Sequence, residues 1–268
     1  MAGDAYEVDY LVIGAGATGL AFTDTLVHES DATVLMIDQR HSPGGHWNDA
    51  YPFVRLHQPS AFYGVNSRRL GEDRIDTTGP NAGYYERATG AEICHYYQAV
   101  VEEHLLPTGQ VDLLTMHTCV EQSPDHAVAV SLLTGREHEI RVRRKIVDAR
   151  YLESSIPATH EPSYEVDKDV RFGPVNDLVH LDGSVDGYVV IGAGKTAMDA
   201  CTWLLDHGVD ADDITWIKPR EPWVVDRGTF QPLEKVGDFI VAWALAGEIA
   251  ARAATVPDLF GQLEDAGL

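Results

Sequence analysis

Two glycine clusters carry the residues best placed for chemistry. The first reads Gly14-Ala-Gly16-Ala-Thr-Gly19, the pattern G-x-G-x-x-G. The first glycine allows a tight turn, the second allows close approach of backbone to a pyrophosphate, and the third allows close helix–strand packing. The phosphate then lies at a helix N-terminus, where free N–H groups and the helix dipole favour negative charge. Asp38 follows at the end of an apolar run, where ribose hydroxyls are expected. The second cluster reads Gly192-Ala-Gly194-Lys-Thr-Ala197. Its Gly-Lys-Thr suggests a P-loop, but that motif requires glycine at position 189, which is Val189. A dinucleotide loop with alanine at its third position remains. Its downstream residues are basic: Lys218 falls close to the position of the ribose acid and Arg220 lies two residues on. A carboxylate there favours NAD, whereas cations favour the 2′-phosphate of NADP. The expected cofactors are therefore two dinucleotides, the second being NADP in preference to NAD.

The elements that must position these loops are legible nearby. Val8–Ile13 is an apolar run, a helical pattern follows from Thr18 to about His28, and Ala32–Asp38 is a second buried strand. This is a β-α-β unit with parallel strands. Tyr188 opens the second strand–glycine–helix unit, with a helix over about Thr196–His207 and a strand before Lys218. Residues 39–88 form a long irregular stretch rich in aromatics, which is expected to be functional. A helix is expected over Ala91–Leu105. Three strand-like runs, Leu113–Glu121, Ala127–Leu133 and Glu139–Val147, read as an antiparallel meander, followed by a buried strand at "KIVDA". The Pro-rich stretch 155–170 reads as a linker, and Pro232–Leu268 reads as helical. The expected fold is α/β, with two Rossmann-like dinucleotide-binding domains with parallel sheets, 1–160 and 161–268, the first carrying the meander.

Composition narrows the function classes. The 268 residues carry a formal charge of -22, from 42 acidic and 20 basic residues. Such a chain is not suited to nucleic acid or to an anionic membrane surface. No apolar run approaches the roughly 18 residues of a membrane-spanning helix. Acidic residues precede the first apolar run, unlike a signal peptide. Three scattered cysteines without C-x-x-C fit a reducing, cytoplasmic setting and disfavour a dithiol centre. The 12 histidines form no H-x-H or H-E-x-x-H pair, so no metal site is expected. G-x-S-x-G, the nucleophile turn of acyl hydrolases, is absent.

The acid-then-base pair of units resembles the two-dinucleotide-binding-domain flavoproteins. "DQRHSPGGHW" (Asp38–Trp47) is similar to a segment of flavin-containing and Baeyer–Villiger monooxygenases. That resemblance implies FAD at the first loop and NADPH at the second. It places Asp38 and Gln39 on the FAD ribose, and Gly44, Gly45 and Trp47 along the path to the flavin. It also offers "YPFVRLHQPSAFYG" (Tyr51–Gly64) as isoalloxazine lining, with His57, Gln58 and Tyr63 as donors and Arg55 and His46 as weaker contacts. No catalytic residue is assigned. "KIVDARYLES" (Lys145–Ser154) sits where the family has an Ala-Thr-Gly-like turn, here altered to Asp148-Ala149-Arg150. The family's F-x-G-x-x-x-H identifier is absent; His160 and Tyr164 match only its end. The late Gly-Asp return segment is also missing. The implied activity is hydride transfer from NADPH to FAD and onward to oxygen or another acceptor, acting on a small molecule, with a homo-oligomer compatible. The alternative is a shortened, non-catalytic dinucleotide-binding protein.

Overall fold

The computed structural model describes residues 5–150, 158, 162–182, 185–222 and 224–268. It divides into two compact units. The first comprises 1–54, 64–70 and 89–185, and the second 55–63, 71–88 and 186–268. The second glycine loop thus shares its unit with two segments of the long irregular stretch. His160 and most of 151–161 lie outside the described residues.

The first unit is built on β1 (Ala5–Ile13), α1 (Ala17–Glu29) and β2 (Val34–Asp38). Leu11, Val12 and Ile13 are buried, as are all five residues of β2, as expected for a parallel strand covered on both faces. On α1 the buried residues Leu20, Asp24 and Val27 recur at helical spacing. β1 and β2 pair in parallel from Tyr10↔Val34 to Ile13↔Ile37.

A short hairpin, β3 (Gly64–Val65) with β4 (Arg68–Arg69), is tied to α1. Buried Asp24 accepts the Ser67 N–H at 3.0 Å. The helix expected over Ala91–Leu105 is α-helical as α2 (Gly90–Ala99), closed by a Thr89/Glu92 capping box, and continues as a π-helical turn over Val100–Leu105.

The meander differs in detail from the sequence expectation. Its first run is two strands, β5 (Val111–Thr115) and β6 (His117–Ser123), broken at Met116 with φ +57°. β5 pairs in parallel with β2. β7 (His126–Ser131) and β8 (Glu137–Asp148) complete an antiparallel β6–β7–β8 meander. β8 runs on through Lys145–Asp148 of "KIVDA" and pairs in parallel with β1 from Ala5↔Glu139 to Ile13↔Asp148, with a register shift between Val8 and Tyr10. The outcome is one six-stranded mixed sheet, ordered β5-β2-β1-β8-β7-β6. Its apolar centre joins Leu11, Ile13, Leu35 and Ile37 to Ala127, Ala129, Ile140 and Val142.

The second unit contains β9 (Tyr188–Ile191), α3 (Lys195–Asp206) and β10 (Ile214–Ile217), with β9 and β10 parallel. The tail is helical as expected, in α4 (Val236–Arg252) and α5 (Val256–Asp265). Phe62, Phe230, Phe239 and Trp243 form a chain of ring contacts that fastens α4 to the 55–63 segment. Among the described residues, no helix is long and apolar enough to cross a membrane.

Candidate dinucleotide sites

The two glycine loops share the backbone geometry of their first two glycines. Gly14 donates its N–H to Ile37 O at 2.8 Å, and Gly192 donates to Ile217 O at 2.9 Å. Both glycines have left-handed φ, +107° and +132°. Gly16 and Gly194 hold matching extended caps, with φ -85° and -86°. Neither cap has a side-chain hydrogen bond, and neither first turn carries an acid. The N–H groups that a side chain would otherwise satisfy are thus left for an anionic ligand. Ile13 pairs with Ile37, and Ile191 with Ile217. Asp38 and Lys218, each the next residue, therefore occupy equivalent positions.

The third position of the loop shows why the copies differ. A Cβ on Gly19 would lie 2.0 Å from Gly14 O, closer than any real contact. The Cβ of Ala197 causes no such overlap; a Cβ placed on Gly192 would meet it at 3.7 Å. The second loop thus stands further from its helix, and alanine is tolerated.

Gly45 packs on Gly16, and a Cβ built on it would lie 2.9 Å from Gly16 Cα. Gly44 donates to Ala15 O at 2.9 Å. The Gly-Gly turn therefore closes over the first loop by backbone contact, which a side chain at Gly45 would obstruct, while Gly44 holds a left-handed φ of +118° that disfavours a side chain.

A cleft in the first unit is lined by Gly14, Gly16, Asp38, Gln39 and Gly45, bringing together five of the residues singled out in the sequence. Asp38 is buried, with Oδ2 accepting Ala15 N–H at 2.6 Å and Oδ1 accepting Arg40 N–H at 2.7 Å. A carboxylate has about four acceptor sites, so ribose hydroxyls can still be accepted. His46 lines the same cleft. Partial burial, reinforced by Arg40 and opposed by Asp49, holds its pKa below the usual histidine value. Trp47 is not among the lining residues; it is half-buried, with its ring against His46 and close to Gly90.

Sequence reading missed part of this cleft. His117, Thr118 and Cys119 line it from β6, and Ala149 and Arg150 from beyond β8. The strand break at Met116 that sets the register of β6 has no glycine to mark it. The Asp148-Ala149-Arg150 turn is visible in sequence, and its position explains it: Ala149 donates to Ile13 O at 2.9 Å, and Arg150 closes an ion pair with Asp148.

His57 belongs to the second unit and is exposed. Partial burial and then Lys195 lower its pKa, with Asp199 opposing. Lys195 itself pairs with Asp199. Lys218 is held by Glu221 at 2.7 Å and lies 4.9 Å from the Trp216 ring centroid; Arg220 is exposed. Tyr164 packs edge-on against Phe172. The three cysteines are free, and burial raises the pKa of each, the opposite of an activated thiolate.

Comparison with known proteins agrees with this geometry. Residues 12–65 match the family of NAD(P)-binding Rossmann-like domains. That match falls on the first loop; ADP is common to FAD and NAD(P). The chain is 49% identical over 262 residues to the uncharacterized protein Rv2000 of Mycobacterium tuberculosis (strain ATCC 25618 / H37Rv), covering 97% of this chain and 48% of that one. It thus spans about half the length of the curated relatives it matches. Among solved structures it is similar to a flavin-containing monooxygenase from Stenotrophomonas maltophilia, at 20% identity and TM-score 0.52, covering 88% of this chain and 68% of that one. It is also similar to the bacillithiol disulfide reductase Bdr (YpdA) from Staphylococcus aureus, at 14% identity and TM-score 0.55, covering 89% and 64%. Residues 12–65 thus match a NAD(P)-binding Rossmann-like domain, and the chain shares the Rossmann-type fold of these two solved structures.

Proposed function

We propose that this protein is an FAD-dependent oxidoreductase that takes hydride from NADPH and acts on a small molecule in the manner of a monooxygenase. The observation that carries the reading is the exchange of Asp38 for Lys218 at equivalent positions of two matching loops. The first loop would hold FAD, with Asp38 and Gln39 at the ribose and Gly14, Gly16 and Gly45 around the pyrophosphate. The residues fit that group: the cleft has a left-handed glycine, an uncapped helix N-terminus and a carboxylate with spare acceptor sites. Bound FAD would supply a two-electron acceptor and donor. The second loop would hold NADPH through Gly192, Gly194 and Ala197, with Lys218 and Arg220 at the 2′-phosphate.

Glu221 competes with a 2′-phosphate for Lys218. Replacing Glu221 by Gln should therefore tighten NADPH binding a few-fold while leaving NADH unchanged. Lys218→Glu should weaken NADPH at least tenfold and narrow its margin over NADH. Fluorescence titration with both nucleotides reads this directly. Equal NADPH and NADH affinities in the unaltered protein would remove Lys218 from the 2′-phosphate.

A further inference from the structure

Three arginines of the second unit have no carboxylate partner among the described residues. Arg55 donates Nη1 to Arg87 O at 3.2 Å, Arg87 donates Nη1 to Leu56 O at 3.2 Å, and Arg227 donates Nη1 to Asn81 Oδ1 at 3.1 Å. The backbone brings the first two together, since Leu56 donates its N–H to Ala88 O at 2.9 Å. Each guanidinium is thus anchored by one nitrogen to a neutral acceptor. The remaining donors of its planar fork have no hydrogen-bond partner among the described residues.

This is an unusual arrangement in a chain with 42 acidic and 20 basic residues. Arg227 and Arg55 both repel the charge on Arg87, adding to the effect of its burial; Asp199 and Asp76 are the acids that oppose them. Arg87 also acts on Lys195, the residue after Gly194. The Arg87 Nε is shielded from solvent and has no acceptor. An enclosed charged donor without an acceptor is costly, and a bound oxyanion would supply what is missing.

We infer that Arg55, Arg87 and Arg227 form an oxyanion site on the second unit, built for a phosphate or carboxylate group by two-pronged guanidinium contact. The site uses neither Lys218 nor Arg220 and does not require flavin at the first loop. The group has two sources, the pyrophosphate of the nucleotide or an acidic group on the small-molecule substrate.

Calorimetric titration of the full chain with inorganic pyrophosphate tests the site. Arg87→Gln and Arg55→Gln should each weaken binding at least tenfold. Arg74→Gln, which removes an arginine already paired with Glu86, should stay within twofold. Should Arg87→Gln fail to fold, the exposed Arg55 and the half-buried Arg227, substituted by Gln, give the same reading. A parallel loss of NADPH affinity assigns the anion to the nucleotide; retained NADPH affinity assigns it to the substrate. Absence of pyrophosphate binding in the unaltered protein, or affinity within twofold of it in both Arg55→Gln and Arg227→Gln, overturns the inference. Neither result bears on whether the first loop holds flavin.

Discussion

Gly19→Ala should destabilise the first unit by about 1–3 kcal/mol and weaken FAD binding at least tenfold. The new methyl would sit 2.0 Å from Gly14 O, a backbone atom, so no side-chain rotation relieves it. Either α1 moves away from the sheet or the loop opens at Gly14. Both displace the N–H groups at the start of α1 from the place where a pyrophosphate would lie. Ala197→Gly is the informative partner. It removes a methyl that fits its site, so the second loop should lose no more than about 1 kcal/mol from added backbone freedom. Urea denaturation with titration of FAD compares the two. If Gly19→Ala bound FAD as tightly as the unaltered protein, the first loop would not be the FAD site.

Asp38→Asn is expected to cost about 1–3 kcal/mol. Two backbone N–H groups, from Ala15 and Arg40, converge on the buried carboxylate. An asparagine offers only one oxygen, and its amide nitrogen would face the other N–H, leaving that donor unsatisfied. Ala15 is itself fully buried, so water cannot replace the lost bond. FAD affinity should fall at least tenfold, because the group that would accept the ribose hydroxyls also fixes the loop. A variant with unchanged denaturation midpoint and unchanged FAD affinity would separate Asp38 from both roles.

Local signals carried most of what the sequence revealed. The β1–α1–β2 unit is legible because a buried run, a glycine cluster and a helical period follow one another within about 30 residues. The swap from Asp38 to Lys218 is also local, although their equivalence rests on the strand registers. Non-local pairing was hidden. Nothing near Met116 announces that one run becomes β5 on the parallel side and β6 in the meander. Nothing in "YPFVRLHQPSAFYG" shows that Arg55 donates to the Arg87 carbonyl, or that His57 feels the charges of Lys195 and Asp199 on α3, more than a hundred residues further along the chain. The close contact of Gly16 with Gly45 is likewise a tertiary fact. The sequence shows only that both lack a side chain.

The central claim is that one chain holds a flavin at the first loop and a reducing nucleotide at the second. An absorbance spectrum of the purified protein, reconstituted with FAD if needed, followed by anaerobic addition of NADPH, tests it most directly. An oxidised flavin spectrum that bleaches on NADPH addition is expected. A protein that stays colourless after incubation with FAD, or a bound flavin that NADPH leaves oxidised, would contradict it.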